Sequence, residues 1–424
     1  MRLYPILSRG LMPLALFWMR RPKQRAAGWA QSLAQRRGHL PEFKQAPIWV
    51  HAASVGEVNS AAALVGALAR DWPAFPLLLT AFTPTGMERW KAIAPPGARV
   101  AALPLDHPEW VQRAVQEVRP RAVLIVETEI WPNWLLALHR QGCPVLCLSA
   151  RMRASTQRAW TRWLGARLLR EIFSPLRWVG AQTAADAARF RVLGAERVVV
   201  QGSLKWDLQW PAVDSLRQDF EHLLSGRSFW LGMSTHPGEE ELLLQAHQDL
   251  RQRWPDLLLV LAPRHPRRAE ELLQLCAQAG LSVKQRSRAE GPEAAAVWLV
   301  DTLGEAFALM QCAPQVFMGG SLVPVGGHNL LEPVAADCAV LVGPHTQNAA
   351  DVAEALEEAA GLRRVSDAVS LAQAVAEGLE NPAGLQTQCA QARSVLEAGR
   401  GALPRALQAV SAVLDAPQGP LSSD

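Results

Sequence analysis

Tyrosine is almost missing: one residue in 424, beside 16 tryptophans and 10 phenylalanines. Composition offers no physical reason for it. Other shortages exclude more. No Gly-x-x-x-x-Gly-Lys-[Ser/Thr] occurs, which excludes a P-loop nucleotidase, and no glycine pair completes Gly-x-Gly-x-x-Gly, which argues against a dinucleotide oxidoreductase. No Asp-x-Asp pair offers itself to a nucleotide-bound metal. The six cysteines (Cys143, Cys147, Cys276, Cys312, Cys338 and Cys389) lack paired metal spacing and read as reduced, buried thiols of a cytoplasmic protein.

Long apolar runs are also absent near the start. LMPLALFWM, residues 11–19, is too short for a bilayer, which needs about 20 residues. Extending it back to Leu3 meets Arg9 and Pro5, and RRPK follows it. An interfacial anchor fits best, with Trp18 and the following cations on anionic cytoplasmic lipid. Positive charge after the segment places the body in the cytoplasm. A cleaved signal peptide and a helix docked on the domain are the competing readings. Acids are scarce here too: residues 1–44 hold nine basic side chains (Arg2, Arg9, Arg20, Arg21, Lys23, Arg25, Arg36, Arg37 and Lys44) against Glu42 alone. The whole chain is only +4, so the remainder is net acidic. That charge distribution argues against a nucleic-acid surface and for a local anionic partner.

What is present is a rhythm of short apolar runs between helical stretches. Seven candidate strands lie at 48–52, 75–82, 99–105, 122–127, 144–150, 178–182 and 197–203. A second series lies at 229–234, 257–263, 296–300, 315–320 and 339–344. Continuous Leu, Val and Ile runs separated by helices predict parallel sheets covered on both faces. Two series split near 204–215 predict an α/β protein of two doubly wound, Rossmann-like domains facing across a cleft. The expected extents are 1–40 for the anchoring segment, 41–208 for the first domain and 209–424 for the second. Residues 205–207 read as a hinge for closure.

Function should sit in the loops after the strands. Arg264 and His265, between prolines, suit a phosphate, or else form a surface ion pair. Gly319–Gly320 and Gly326–Gly327 allow backbone to approach a ligand, with Ser321 in the same loop. Pro333 fits only a first helical turn, and Glu332 beside it can accept from a ribose diol or serve the helix dipole. In HAASVGEVNS, residues 51–60, Ser54 and Glu57 have capping-box spacing. The same geometry, opened by Gly56, can equally present Glu57 as a general base toward an attacking hydroxyl. Glu127 and Glu129 suit acceptor positioning or a structural role better than a metal ion.

In order along the chain stand S-V-G-E, T-P-T-G, E-T-E-x-W-P-N, G-S-L-K-x-D, P-R-H-P, D-T-x-G-E, G-G-S-L-V and G-G-H-N-x-L-E-P. Together they resemble the 3-deoxy-D-manno-octulosonic acid (Kdo) transferases, glycosyltransferases of lipopolysaccharide assembly with the GT-B fold. The resemblance implies Glu57 as proton acceptor. It implies Pro263, Arg264, Leu303, Gly304, Glu305, Asn329, Leu330, Leu331 and Glu332 as CMP-binding positions, beside His265, Gly319, Gly320, Ser321 and Gly327. Ser54, Gly56, Thr85, Glu127, Glu129 and Lys205 fall on the acceptor side. It further implies CMP-Kdo as donor, a lipid A precursor as acceptor and inversion at the anomeric carbon. No cofactor, no metal and no nucleic acid is expected, and the place of action is the cytoplasmic face of the inner membrane. A UDP-sugar transferase, a nucleotide-sugar epimerase and a non-catalytic binding protein are the alternatives.

Overall fold

The computed structural model describes residues 3–21, 28–224 and 226–415. The chain divides into two compact units, Met1–Gln209 with Gly399–Asp424, and Trp210–Ala398. Each carries a seven-stranded, wholly parallel sheet.

In the first unit the strands are β1 Ile48–His51, β2 Leu77–Ala81, β3 Arg99–Ala102, β4 Ala122–Val126, β5 Val145–Ala150, β6 Leu176–Ala181 and β7 Val198–Val200. Their spatial order is β3-β2-β1-β4-β5-β6-β7. β1, β2, β4 and β5 are buried along their whole length, because helices cover both faces of the sheet. Apolar residues therefore run on without alternation. Tryptophan supplies much of the bulk. Trp49, Trp90 and Trp134 are fully buried, and Trp49 Nε1 donates to Thr80 Oγ1 at 2.8 Å, so a large ring enters the core with its N–H satisfied.

The second unit repeats the plan with β8 Phe229–Thr235, β9 Leu258–Pro263, β10 Val283–Gln285, β11 Val297–Leu299, β12 Gln315–Met318, β13 Ala339–Val342 and β14 Leu362–Arg364. The order is β10-β11-β9-β8-β12-β13-β14. All twelve expected strands form. β10 and β14 are additions that the apolar pattern missed. Each is three residues long at a sheet edge and paired on one side only, so Lys284, Arg363 and Arg364 are tolerated there.

The second domain does not extend to 424 as expected. The last described helix, Ala402–Leu414, buries Ala402, Ala406, Val410 and Leu414 in one cluster with Leu64, Leu68, Leu124 and Leu204 of the first unit. Asp207 fastens its start, accepting from Gly401 N at 2.8 Å and Leu403 N at 2.9 Å. The supposed hinge at 205–207 is therefore a short 3₁₀ turn clasped within the first unit.

Nor is the amino-terminal stretch a free segment. Helix Leu3–Arg20 docks on the first unit: Tyr4 Oη donates to Asp106 Oδ2 at 2.8 Å, Asn133 Nδ2 donates to Ser8 Oγ at 3.0 Å, and Met19 is buried. Its other side leaves Leu14 and Phe17 65% and 63% exposed, with Trp18 beside them. Among the described residues no helix is long and apolar enough to cross a membrane. Arg2, Lys23 and Arg25 lie outside the described residues.

Candidate active site

Each sheet reverses its direction of growth once, between β1 and β4 in the first unit and between β8 and β12 in the second. At such a point neighbouring loops part, and the carboxyl ends of the strands leave room for a ligand. The loops after β1, β4 and β12, which border these points, carry S-V-G-E, E-T-E-x-W-P-N, and G-G-S-L-V with G-G-H-N-x-L-E-P.

In the first unit, β1 ends at His51 and helix Val55–Asp71 begins four residues later. Ser54 takes the N-cap position, yet its hydroxyl accepts no helix N–H, so the capping box does not form. Instead Glu57 reaches back one residue further. Ala53 N donates to Oε2 at 2.5 Å and Ser54 Oγ donates to Oε1 at 3.2 Å. The T-P-T-G loop explains this register. Phe82 N, Thr83 N and Thr83 Oγ1 all donate to the Ala53 carbonyl, which aims the Ala53 N–H at the carboxylate. Gly86 keeps the two loops this close, since a Cβ there would stand 3.2 Å from that carbonyl. Thr85 is exposed and bonds Thr83 Oγ1 at 3.4 Å, while a Cβ on Gly56 would meet only Ser54 Oγ, at 4.0 Å.

Glu127 and Glu129 follow β4 and are half-buried. Glu127 holds a left-handed backbone, φ +61°, a conformation that costs a non-glycine residue and is kept only where its surroundings enforce it. Glu129 Oε2 accepts from Trp131 Nε1 at 2.9 Å and lies 3.9 Å from Nε2 of fully buried His51. Burial pushes the Glu57 carboxyl up to about 7. The Ala53 N–H opposes the shift, and the charges of Glu127 and Glu129 add to it. Three carboxylates thus share one field, and Glu57 is tuned to exchange protons near neutrality. Among the described residues no group of three or more His, Cys, Asp or Glu is arranged to hold a metal ion. Lys205 lies on the 3₁₀ turn Leu204–Asp207, which packs against helix Val55–Asp71.

In the second unit, the loop after β12 turns inward where a ligand was expected to meet it. Glu239, fully buried after β8, accepts from His236 N and Gly320 N through Oε2 at 2.9 and 2.7 Å. Through Oε1 it accepts from Ser321 N and Leu322 N, both at 2.9 Å. The amide nest already contains an anion, and it belongs to the chain. Ser321 is fully buried and receives Gly343 N at 2.9 Å, so it braces the loop instead of facing a ligand. Gly319 is needed because a Cβ would strike Ser234 O at 2.3 Å, a demand of strand packing.

What faces outward is a cluster the sequence only half announced. His236 and His328 share a hydrogen bond between their Nε2 atoms at 2.8 Å, and His265 stands edge-on to His236 at 5.9 Å between centroids. Burial first, then His236, Arg264 and His265, push His328 down to about 4; His236 is lowered for similar reasons. Arg264 is exposed beside β9's end, with its backbone N–H on Thr235 O at 3.0 Å. Glu332 is raised by burial and held back by Arg264. It lies in the first turn of helix Leu331–Ala335 with Pro333, as the sequence required. Gly327 takes φ +76° and donates to Gly320 O at 2.7 Å; Asn329 Oδ1 accepts from Leu331 N at 3.1 Å; Leu330 and Leu331 are buried. Leu303 is 83% exposed, Gly304 has φ +87°, and Glu305 is paired with Arg286 at 3.1 Å. The helix that follows Glu305, Ala306–Cys312, packs on helix Leu331–Ala335, which sets these two loops side by side. His236 and His328 were missed as site residues: His328 lies inside G-G-H-N-x-L-E-P and His236 just after the strand at 229–234, but nothing in linear spacing joins them.

Two doubly wound parallel units, each with polar groups gathered at its reversal point, have the GT-B fold. A UDP-GlcNAc 2-epimerase from Neisseria meningitidis, solved with UDP-GlcNAc bound, matches at a TM-score of 0.56 over 86% of this chain and 99% of its own, at 13% identity. Sequence then narrows the class. Residues 31–208 match the family model described as 3-deoxy-D-manno-octulosonic-acid transferase (kdotransferase). The 3-deoxy-D-manno-octulosonic acid transferase of Haemophilus influenzae is 33% identical over 415 residues, 95% of this chain and 96% of that one. Its counterpart from Bordetella pertussis is 36% identical over 422 residues, 96% and 98% of the two chains. The chain belongs to the Kdo transferase family, the glycosyltransferases of lipopolysaccharide synthesis.

Proposed function

We propose that the protein moves Kdo from CMP-Kdo to a lipid A precursor, lipid IVA, at the cytoplasmic face of the inner membrane. The observation that carries this reading is the Glu57 carboxylate, placed at the first unit's reversal point with its pKa pushed up to about 7. An acceptor hydroxyl attacks the anomeric carbon of the donor while Glu57 takes its proton. The new C–O bond forms as the bond to the CMP phosphate breaks, and CMP departs with the electron pair. Direct displacement of this kind inverts the anomeric centre. Glu127 and Glu129 orient the acceptor and keep Glu57 basic enough to work. Arg264, His265, His236 and His328 suit the departing phosphate, whose charge grows in the transition state. Leu303 and the Asn329–Glu332 segment suit the nucleoside, with Glu332 on the ribose. The reaction as proposed draws on no cofactor or metal.

Two surfaces support the membrane part of this reading. Helix Leu3–Arg20 leaves Leu14, Phe17 and Trp18 uncovered. Helix Ala154–Trp163 buries none of its side chains, leaves Trp163 78% exposed and sits in a stretch carrying Arg151, Arg153, Arg158, Arg162, Arg167 and Arg170 with no acid among them. Exposed aromatics beside arginines suit an anionic lipid surface.

The test is a product assay by mass with CMP-Kdo and tetraacylated acceptor, wild type beside Glu57→Ala. Wild type gains the mass of Kdo on the acceptor, and the variant makes no product while binding CMP normally. A variant that keeps most of its rate removes Glu57 from the role of base.

A further inference from the structure

Four aromatic side chains stand in an unbroken line between the amino-terminal helix and the carboxylate cluster. Trp18 meets Trp29 edge-on at 5.4 Å between ring centroids, and Trp29 meets Phe82 at 5.6 Å. Phe82 stacks on Trp131 at 5.5 Å and an interplanar angle of 23°. Trp131 closes the line by donating Nε1–H to Glu129. None of the four is buried: Trp29, Phe82 and Trp131 are half-buried and Trp18 is 41% exposed. The core of the same unit takes in Trp49, Trp90 and Trp134 completely, so burial of large rings is no difficulty for this fold.

The line is held from behind by a buried cation. The Arg36 guanidinium lies 4.7 Å from the Trp29 ring centroid and 5.2 Å from that of Phe82, and Arg36 is fully buried. It donates to Phe82 O at 2.6 Å and to Ser32 Oγ at 3.1 Å, leaving Nη1 without a hydrogen-bond partner. Burying an arginine in this way is costly, and cation–π attraction to two rings offsets part of that cost. Its effect is to fix both rings in place.

We propose that this strip, Trp18–Trp29–Phe82–Trp131, is the binding track of an amphiphilic glycolipid acceptor. The sugar lies at the Phe82–Trp131 end and the acyl chains lie at the Trp18 end. The proposal rests on the reading of the acceptor as an acylated, phosphorylated disaccharide. Three observations support it. Aromatic faces present apolar area that suits the C–H faces of a pyranose ring and the boundary between headgroup and acyl chain. One end of the strip is hydrogen-bonded to a carboxylate of the catalytic cluster, where the attacking hydroxyl has to be. The other end adjoins Leu14 and Phe17, the exposed apolar side chains of helix Leu3–Arg20. Apolar rings that touch one another and stay partly exposed are the kind of surface that a ligand covers.

The test uses the full chain in lipid nanodiscs and compares Trp29→Ala and Trp29→Phe with wild type, on the tetraacylated acceptor and on its fully deacylated counterpart. Trp29→Ala is expected to raise KM for the acylated acceptor by about tenfold while leaving kcat and the donor KM close to wild type. Trp29→Phe restores most of the loss, and the deacylated acceptor shows a smaller effect. An unchanged acceptor KM in Trp29→Ala overturns the proposal, as does an equal rise in the donor KM. A second measurement is independent of turnover and of Trp29. Benzoylphenylalanine placed at position 82 should photo-cross-link to the acylated disaccharide phosphate, and excess unlabelled lipid should suppress the product. Cross-linking without sugar transfer by the wild type leaves the track standing and removes the proposed reaction. Transfer without cross-linking does the reverse.

Discussion

Glu57 binds a proton more tightly in the folded protein than a carboxyl normally does, and this has two opposite consequences. As a base it works only when ionised, so kcat/KM should rise with pH through about 7. Replacing Glu127 by Gln removes one of the two repulsive charges, and the acid limb of that profile should move to lower pH. A limb that stays in place would deny the coupling. For stability the sign runs the other way. The folded value is raised above the ordinary one, so the group's contribution is complete at low pH and is lost as pH climbs through about 7. Glu57→Gln should therefore melt later than wild type at about pH 8, by the equivalent of about 1–2 kcal/mol, with the advantage gone near about pH 4. In the second unit, Arg264→Ala should weaken CMP binding about 10- to 100-fold in a calorimetric titration, as expected for loss of a charged hydrogen-bond donor, while Glu57→Gln should leave it unaltered. These side chains were legible in the sequence because each follows a strand in a short motif. His51, His236 and His328 were not, since their partners Glu129, Arg264 and each other come from distant segments.

At the scale of elements, the loop after β12 owes its shape to Glu239. Glu239→Ala would leave four backbone N–H groups without their acceptor and should destabilise the second unit by about 3 kcal/mol or more, with amide exchange at residues 320–322 rising first. Glu239→Gln, which keeps one acceptor oxygen but turns a donor toward the nest, should fall between the two. The sequence identified Gly319 and Gly320 correctly as positions of close backbone approach but misjudged what approaches. A carboxylate 81 residues before Gly320 fills the nest, and no local pattern encodes such a partner. The capping box failed for a related reason. Ser54 and Glu57 have the right spacing, but the tie between Ala53 and the T-P-T-G loop redirects the carboxylate. Strands were the easiest elements to read, because burial on both faces makes them continuous apolar runs. β10 and β14 escaped notice because each is only three residues long and carries Lys284, or Arg363 and Arg364, where an apolar run would be read.

Across the whole molecule, charge and apolar surface meet on the first unit. Phe17→Asp should lower the fraction of protein that floats with anionic vesicles, and the remaining binding should fall further as salt is raised, since screening weakens the arginine contribution and spares the apolar one. Equal flotation by variant and wild type would rule out helix Leu3–Arg20 as a contact. The net charge of the chain gave no sign of Arg151–Arg170, because the acidic remainder hides it in the sum. The two-unit plan was visible from the alternation of strands and helices. The true extent of the units was not, for the apolar face of Ala402–Leu414 gives no indication of which core it enters.

That last helix sets an order of events. The first unit opens the chain, yet one of its core helices is encoded after the whole of Trp210–Ala398. On a ribosome the intervening unit emerges entire before Ala402 does, so it is free to fold while the unit before it still has an apolar face uncovered. The half of the protein that is begun first is the half completed last.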